Sequence, residues 1–332
     1  MYKLLFFFTM VSGSMITLSA NSWISMWIGL EINLLSIIPL MKNKKNMMES
    51  EAAMKYFITQ ALASTILLFS IIMMMKSNQF LLYSKMINLT LDSAIFTKMG
   101  AAPFHFWFPE VMEGLNWINA TIMMTWQKIA PLVMFSYTSK STNLMITAII
   151  ASMLVSGIMG LNQTSLRKIL AYSSINHIGW MIAALLLNQT IWTTYMTIYF
   201  LMTINMTLMF KTFNVFTVYQ LVNEINKNKK IKILFTMNFL SLGGIPPFIG
   251  FFPKWITINE LINKNMILLA FIMILMTLVT LFFYMRVTFT SMILENLETK
   301  TIKINQNLNK LMISNFILIS SLSLCTLMFW VT

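Results

Sequence analysis

Lys128 stands in the run Trp126-Gln127-Lys128-Ile129-Ala130-Pro131, with about ten residues of apolar span on either side. Three other ionisable residues sit in similar surroundings. Glu31 lies within Trp27-Ile28-Gly29-Leu30-Glu31-Ile32-Asn33, Lys98 shortly before Pro103, and Lys254 directly after Pro253. A charge at a bilayer centre costs about 2.5–3.5 kcal/mol on insertion scales. Four such groups are tolerable only if they face one another or a hydrated path. The chemistry open to them is proton carriage. A lysine changes its protonation state when its surroundings change, which an arginine does not. A nearby carboxylate holds the proton on the lysine, and separating the two favours its release. For Lys98 and Lys254 snorkelling to an interface is the alternative, and for Glu31 a structural ion pair with a buried lysine.

Two histidines could extend a line of carriers. His105 follows Pro103 and His177 lies mid-span within Ser173-Ser174-Ile175-Asn176-His177-Ile178. Each is equally open to a packing role. No G-x-G-x-x-G follows a strand and no P-loop is present. The two histidines lack haem or metal spacing, and the single cysteine, Cys325, lies in an apolar run. Disulfides, iron–sulfur ligation and thiolate zinc within this chain are thereby excluded, and no metal or cofactor is expected on it.

Lipid is the expected setting of these residues. Of 332 residues 58% are hydrophobic and 10% charged, with mean hydropathy +0.74, against roughly 25% charged in soluble domains. The net charge of +13 is spread over short loops and forms no basic face, which argues against nucleic acid as a partner. Segments long enough to span a bilayer fall at about 3–20, 23–41, 54–75, 86–113 (interrupted at Pro103), 118–138, 143–162, 165–187, 190–213, 232–262 (interrupted at 243–247), 266–290 and 307–332. The first of them has the layout of a signal peptide, but with ten more segments behind it we read it as a first membrane helix. With eleven spans, sixteen Lys and Arg in loops and at span ends fall on the side of the N-terminus and four on the other. An error in mid-chain would scramble that split, so the expectation is an inner N-terminus and an outer C-terminus. The polar stretches near 42–53, 219–232 and 295–310 read as ordinary loops, and residues 1–332 as one membrane domain.

The interrupted spans share a pattern. Pro103-Phe104-His105-Phe106-Trp107-Phe108-Pro109 and Pro247-Phe248-Ile249-Gly250-Phe251-Phe252-Pro253 both read P-F-x-x-x-F-P, and small residues precede each. They are the fourth and ninth spans, and an odd offset makes them run in opposite directions. Paired, proline-broken spans in inverted orientation are a transporter signature, with polar groups placed at mid-membrane. Coincidence in a chain with 26 Phe is the alternative. The expected fold class is therefore all-α and polytopic, about eleven helices with two broken ones in an inverted repeat.

The runs GLEINLLSIIPL (29–40), KMGAAPFHFWFPEVMEG (98–114), TWQKIAP (125–131), LNQTSLRKILAYSSINHIGWM (161–181) and NFLSLGGIPPFIGFFPKW (238–255) closely resemble the antiporter-like membrane subunits of the proton-pumping NADH:ubiquinone oxidoreductase, in animal and especially insect form. The resemblance covers nearly the whole chain and weakens over the last forty residues. It implies an antiporter-like fold shortened by three N-terminal helices relative to the wider family. It implies a switching ion pair of Glu31 and Lys98, with Lys128 and Lys254 continuing a proton path. NADH, FMN, iron–sulfur clusters and ubiquinone would belong to partner subunits. The implied partners are other membrane-arm subunits, including neighbouring antiporter-like ones, and phospholipids. The implied location is the mitochondrial inner membrane, N-terminus in the matrix. A cation/proton antiporter subunit and a structural membrane scaffold are the alternatives.

Overall fold

The computed structural model describes residues 2–42, 46–76, 81–138, 141–225, 229–246 and 248–293. The expected eleventh span, the 295–310 loop and Cys325 lie outside the described residues. The chain divides into two compact units at Ser152/Met153, inside the helix Thr142–Leu161. The first unit contains α1 (Tyr2–Ser19), α2 (Trp23–Met41), α3 (Met47–Lys76), α4 (Leu81–Met99), α5 (Trp107–Gly114), α6 (Trp117–Met124) and α7 (Trp126–Tyr137). The boundary helix is α8 (Thr142–Leu161). It is followed by α9 (Leu166–Leu187), α10 (Gln189–Phe213), α11 (Val218–Ile225), α12 (Lys229–Gly243), α13 (Phe251–Asn263) and α14 (Ile267–Ile293). Among the described residues there is no strand beyond a single antiparallel bridge between Ser165 and Thr217.

The distribution of polarity is that of a protein dissolved in lipid. Leu4, Phe8, Leu62, Phe69, Leu268, Leu278 and Phe282 are exposed, while Glu49, Asp92, Lys98, Lys128, His177 and Lys254 are buried. In lipid the backbone must satisfy its own hydrogen bonds, which restricts spanning segments to helices in a chain of this pattern. Six helices among the described residues, α1, α2, α3, α8, α9 and α14, are long and apolar enough to cross a membrane unaided. The fifth and ninth expected spans are missing from this set because each is built from two shorter pieces, α6–α7 and α12–α13; the fourth is likewise divided into α4 and α5, and its longer piece, the 19-residue α4, carries Lys85, Asp92 and Lys98. The threonine-rich α10 is 25 residues long but less apolar.

Small residues set the close packing of α1 on α2. A Cβ added to Gly29 would lie 2.8 Å from the Gly13 carbonyl oxygen and 2.6 Å from Thr17 Cγ2. Lipid offers no hydrophobic drive between apolar helices, so close backbone approach supplies the dispersion contacts. Ser22 opens α2 with a reciprocal capping box to Ser25. In the second unit α9 is buried along almost its whole length, and α10, α13 and α14 pack against it.

Three expectations need correction. The fifth span is not one regular helix over 118–138, because the backbone is distorted at Thr125 (φ −111°, ψ −78°), which divides α6 from α7. Its hydroxyl donates to the Thr121 carbonyl at 2.7 Å, competing for the acceptor that the helical backbone uses. Further on, Pro131 carries no N–H for the Gln127 carbonyl. The third helix begins at Met47 rather than near 54. Polar but helix-favouring residues, with Glu51 and Lys55 paired at 2.9 Å one turn apart, extend it. The 219–232 stretch is more than a loop, since it contains the short helix α11, with Leu221 and Val222 buried and Tyr219 exposed.

Candidate functional site

Both proline-marked breaks are built by the same backbone device. Helix α4 ends at Met99 with Gly100 at φ +74°, and α12 ends at Gly243 with Gly244 at φ +78°. In the first, Gly100 N–H donates to Thr97 and Phe96, and Ala101 N–H reaches back to the Phe96 carbonyl at 3.1 Å. In the second, Gly244 N–H donates to Ser241 and Leu240, and Ile245 N–H reaches back to Leu240 at 3.4 Å. This is the glycine-dependent Schellman closure, which ends a helix while satisfying its last carbonyls. The next turns also correspond. Phe104 N–H donates to Ala101 and Phe108 N–H to His105; Phe248 N–H donates to Ile245 and Phe252 N–H to Ile249. The expected interruptions near Pro103 and at 243–247 are thus present, although Pro247 itself lies outside the described residues.

In the first unit, Lys98 occupies the last turn of α4 and is buried. Glu31 on α2 is close enough to act on it electrostatically, and acts also on the Tyr56 hydroxyl of α3. Among the described residues Glu31 and Lys98 do not touch: the ion pairs within 4.0 Å are Lys55–Glu51 and Lys55–Glu110. One carboxylate oxygen of Glu31, Oε1, is buried without a hydrogen-bond partner. Among the described residues Lys128 is the most deeply buried lysine, at 2% exposure. Its ammonium lies 5.4 Å from the centre of the Phe108 ring of α5, a cation–π distance. The same Phe108 would be met, at 3.2 Å, by a Cβ placed on Gly100. The break after α4 and the surroundings of Lys128 therefore share a side chain. His105 is buried within the break, its ring 4.3 Å from that of Phe106.

In the second unit, Lys254 projects from the start of α13 back across the break. It donates to the carbonyl of Gly243 at 2.8 Å. A helix C-terminus presents unsatisfied carbonyls and the negative end of its dipole, so an ammonium is well placed there. A Cβ at Gly244 would lie 2.9 Å from Lys254 Nζ, so a side chain there would displace the ammonium from this position. His177, on the central α9, meets the Tyr195 hydroxyl at 2.9 Å through Nδ1, and the Tyr199 ring packs 4.9 Å from its own. Asn176 donates to Thr280 of α14 at 3.1 Å. The sequence-derived residues thus separate into two sets, Glu31, Lys98, His105 and Lys128 in the first unit, His177 and Lys254 in the second.

Two buried carboxylates escaped the sequence reading, Glu49 in the first turn of α3 and Asp92 in α4. Asp92 on α4 has no exposed surface and accepts a hydrogen bond from Ser141 at 2.8 Å. An aspartate inside the apolar stretch before Lys98 was the available signal. Among the described residues no three of His, Cys, Asp and Glu come together as a metal site.

The family described as NADH:quinone oxidoreductase/Mrp antiporter, transmembrane, matches residues 20–280. NADH-ubiquinone oxidoreductase chain 2 of Anopheles gambiae is 46% identical, over 98% of this chain and 97% of that protein. The protein of the same name from Aedes aegypti is 47% identical over the same shares. Among solved structures, a chain of respiratory complex I from Thermus thermophilus, with bound aureothin, superposes with a TM-score of 0.88 at 22% identity. The match covers 98% of this chain and 79% of that one. The fold is therefore the antiporter-like one. With 46% identity along its whole length, the chain belongs to the family of NADH-ubiquinone oxidoreductase chain 2 proteins, multi-pass membrane proteins of the NADH:quinone oxidoreductase/Mrp antiporter fold.

Proposed function

We propose that this chain is a proton-translocating subunit in the membrane arm of NADH:ubiquinone oxidoreductase, moving protons from the matrix to the intermembrane space of mitochondria. The observation that carries the reading is Lys128, an ammonium at 2% exposure between the Thr125 interruption and Pro131. Retaining a cation there has an energetic cost. Proton work supplies a return. Moving one charge across about 100 mV takes about 2.3 kcal/mol, so carriers must change their proton affinity by comparable amounts.

In this scheme Glu31 and Lys98 are the switching pair, approaching and separating as the complex turns over. Lys128 and Lys254 pass the proton on, with His105 and His177 as further stations. The Lys254 contact with the Gly243 carbonyl supports a role for the helix break in holding an ammonium at depth. On the same reading residues 1–332 are one membrane domain of about eleven spans, and the two broken spans, an odd number of crossings apart, run in opposite directions through the bilayer. Electron transfer from NADH to ubiquinone, with FMN and iron–sulfur clusters, belongs to partner subunits. Other membrane-arm subunits and phospholipids surround this one.

The test is NADH-driven proton uptake by sealed vesicles containing the assembled complex. Lys98→Met and Lys254→Met should assemble and yet accumulate protons several-fold more slowly than the parent complex. Full proton-to-electron stoichiometry in both would overturn the relay. The Mrp likeness of the family keeps cation exchange as a second reading. Sodium-dependent proton exchange by the isolated chain would favour it.

A further inference from the structure

Between the Glu31–Lys98 neighbourhood and Lys128 lies a chain of uncharged polar side chains contributed by three helices. Tyr56 of α3 donates its hydroxyl proton to Gln127 Oε1 of α7 at 3.4 Å. Gln127 in turn donates through Nε2 to Asn33 Oδ1 of α2 at 2.8 Å. Asn33 is two residues beyond Glu31, so the chain returns to the helix that carries the carboxylate. Gln127 immediately precedes Lys128, just beyond the interruption at Thr125. Asn33 and Tyr56 are both buried. A buried polar chain of this kind holds its helices in one arrangement because each lost partner leaves an unsatisfied group.

The network is incomplete at one point. Glu31 Oε1 is a buried acceptor without a donor, and Gln60 Nε2 is a buried donor without an acceptor. Trp27 of α2 donates to the Ser64 carbonyl of α3 at 3.1 Å. Glu31 lies one turn beyond that contact on α2, and Gln60 one turn before it on α3. One turn further along α3 from Gln60 is Tyr56, whose hydroxyl feels the Glu31 charge. A phenol carries a single donor proton. It serves Gln127 in this structure, and serving Glu31 instead would release Gln127.

We propose that Tyr56 and Gln127 are positioning residues that transmit the state of Glu31 to Lys128 by this exchange of one hydrogen bond. The proposal rests on the relay reading above. No proton leaves Tyr56; only the direction of its O–H changes. In this structure Glu31 stands apart from Lys98 with Oε1 unpartnered, Tyr56 holds Gln127, and α7 is tied to α2 through Asn33. When the Glu31 carboxylate turns to α3, Tyr56 and Gln60 donate to it, and the segment carrying Lys128 is released from α3. The two charged groups then influence each other without meeting.

Tyr56→Phe deletes the hydroxyl but keeps the ring against Trp107, 5.8 Å away between centres. Gln127→Leu removes the amide at similar volume. The assembled complex in sealed vesicles, with rates normalised to the amount assembled, should show each variant slowing NADH-driven proton uptake about three- to tenfold, the worth of one neutral hydrogen bond. The double variant should be no slower than Gln127→Leu alone, since both act through one bridge. Multiplying losses would mean independent packing defects and would overturn the bridge. Parent-like uptake in Tyr56→Phe, with Lys98→Met and Lys128→Met impaired, would overturn the bridge and leave the relay standing. Parent-like uptake in Lys128→Met would remove the relay and the bridge together. Should Gln127→Leu fail to assemble, Tyr56→Phe decides alone.

Discussion

The breaks after α4 and after α12 are nearly superimposable in hydrogen-bond pattern and opposite in where they carry charge. Counting from the positive-φ glycine of each, Lys98 corresponds to Leu242, and Lys254 corresponds to Glu110. In the first unit the ammonium precedes the break and has no direct hydrogen bond among the described residues. The position after the break holds a glutamate tied to Lys55 at 3.0 Å. In the second unit the ammonium follows the break and is bound to the carbonyl that the break exposes. The backbone device is the repeated part, while the charge has been placed separately in each copy. A lysine held by electrostatic attraction alone is free to move when its carboxylate partner changes; one seated on a helix C-terminus is committed to that seat. The first suits a switch and the second a fixed station.

The comparison predicts its largest contrast at the two glycines. Gly100→Ala and Gly244→Ala both put a side chain at φ near +75°, a strain of about 1–2 kcal/mol. Only at Gly244 does the new Cβ also meet the ammonium, 2.9 Å from Lys254 Nζ. Both variants should reduce the amount of assembled complex, measured by native electrophoresis. Gly244→Ala should also lose most proton translocation per assembled complex, and Gly100→Ala should lose much less. Equal losses per complex would mean that the glycines matter only for ending helices.

A smaller contrast is expected at the lysines themselves. Lys254→Met leaves the buried Gly243 carbonyl without its donor, which should lower stability by about 1–3 kcal/mol. Lys98→Met orphans no hydrogen-bonded partner but takes the nearby cation away from Glu31, and it should lower stability less than Lys254→Met does. The apparent Tm of the two assembled variants measures the difference. Equal destabilisation would show that Lys98 has a partner as firm as that of Lys254. The smallest effect belongs to the pair Lys55–Glu110, whose side chains are 42% and 56% exposed. Glu110→Gln should leave both assembly and pumping unchanged, and a marked loss would make that pair part of the switch.

How much of this was legible in the sequence follows from how local each feature is. The glycine-proline breaks announce themselves because a positive φ and a missing N–H are properties of single residues. The four charges inside expected spans stand out against apolar neighbours. Thr125 gives no such sign. It interrupts the fifth span through its hydroxyl bond to Thr121 and the absent N–H at Pro131, features common in unbroken membrane helices. Asp92 was visible in the sequence and still missed, because its burial depends on Ser141, 49 residues away. The bridge through Asn33, Tyr56 and Gln127 joins three helices, and its pairing is decided by packing, which no local pattern encodes.

The claim on which the rest depends is that Lys128 works because its proton can leave. It is tested by replacing it twice in the assembled, membrane-embedded complex and measuring the proton-to-electron ratio together with NADH:quinone turnover. Lys128→Arg keeps the charge but cannot release a proton at physiological pH, and Lys128→Met removes both the charge and its burial cost. The account predicts that both variants translocate fewer protons per electron or turn over more slowly, despite their opposite effects on charge. Normal stoichiometry and normal turnover in both would show that Lys128 is a structural residue and that the relay runs elsewhere or not through this chain.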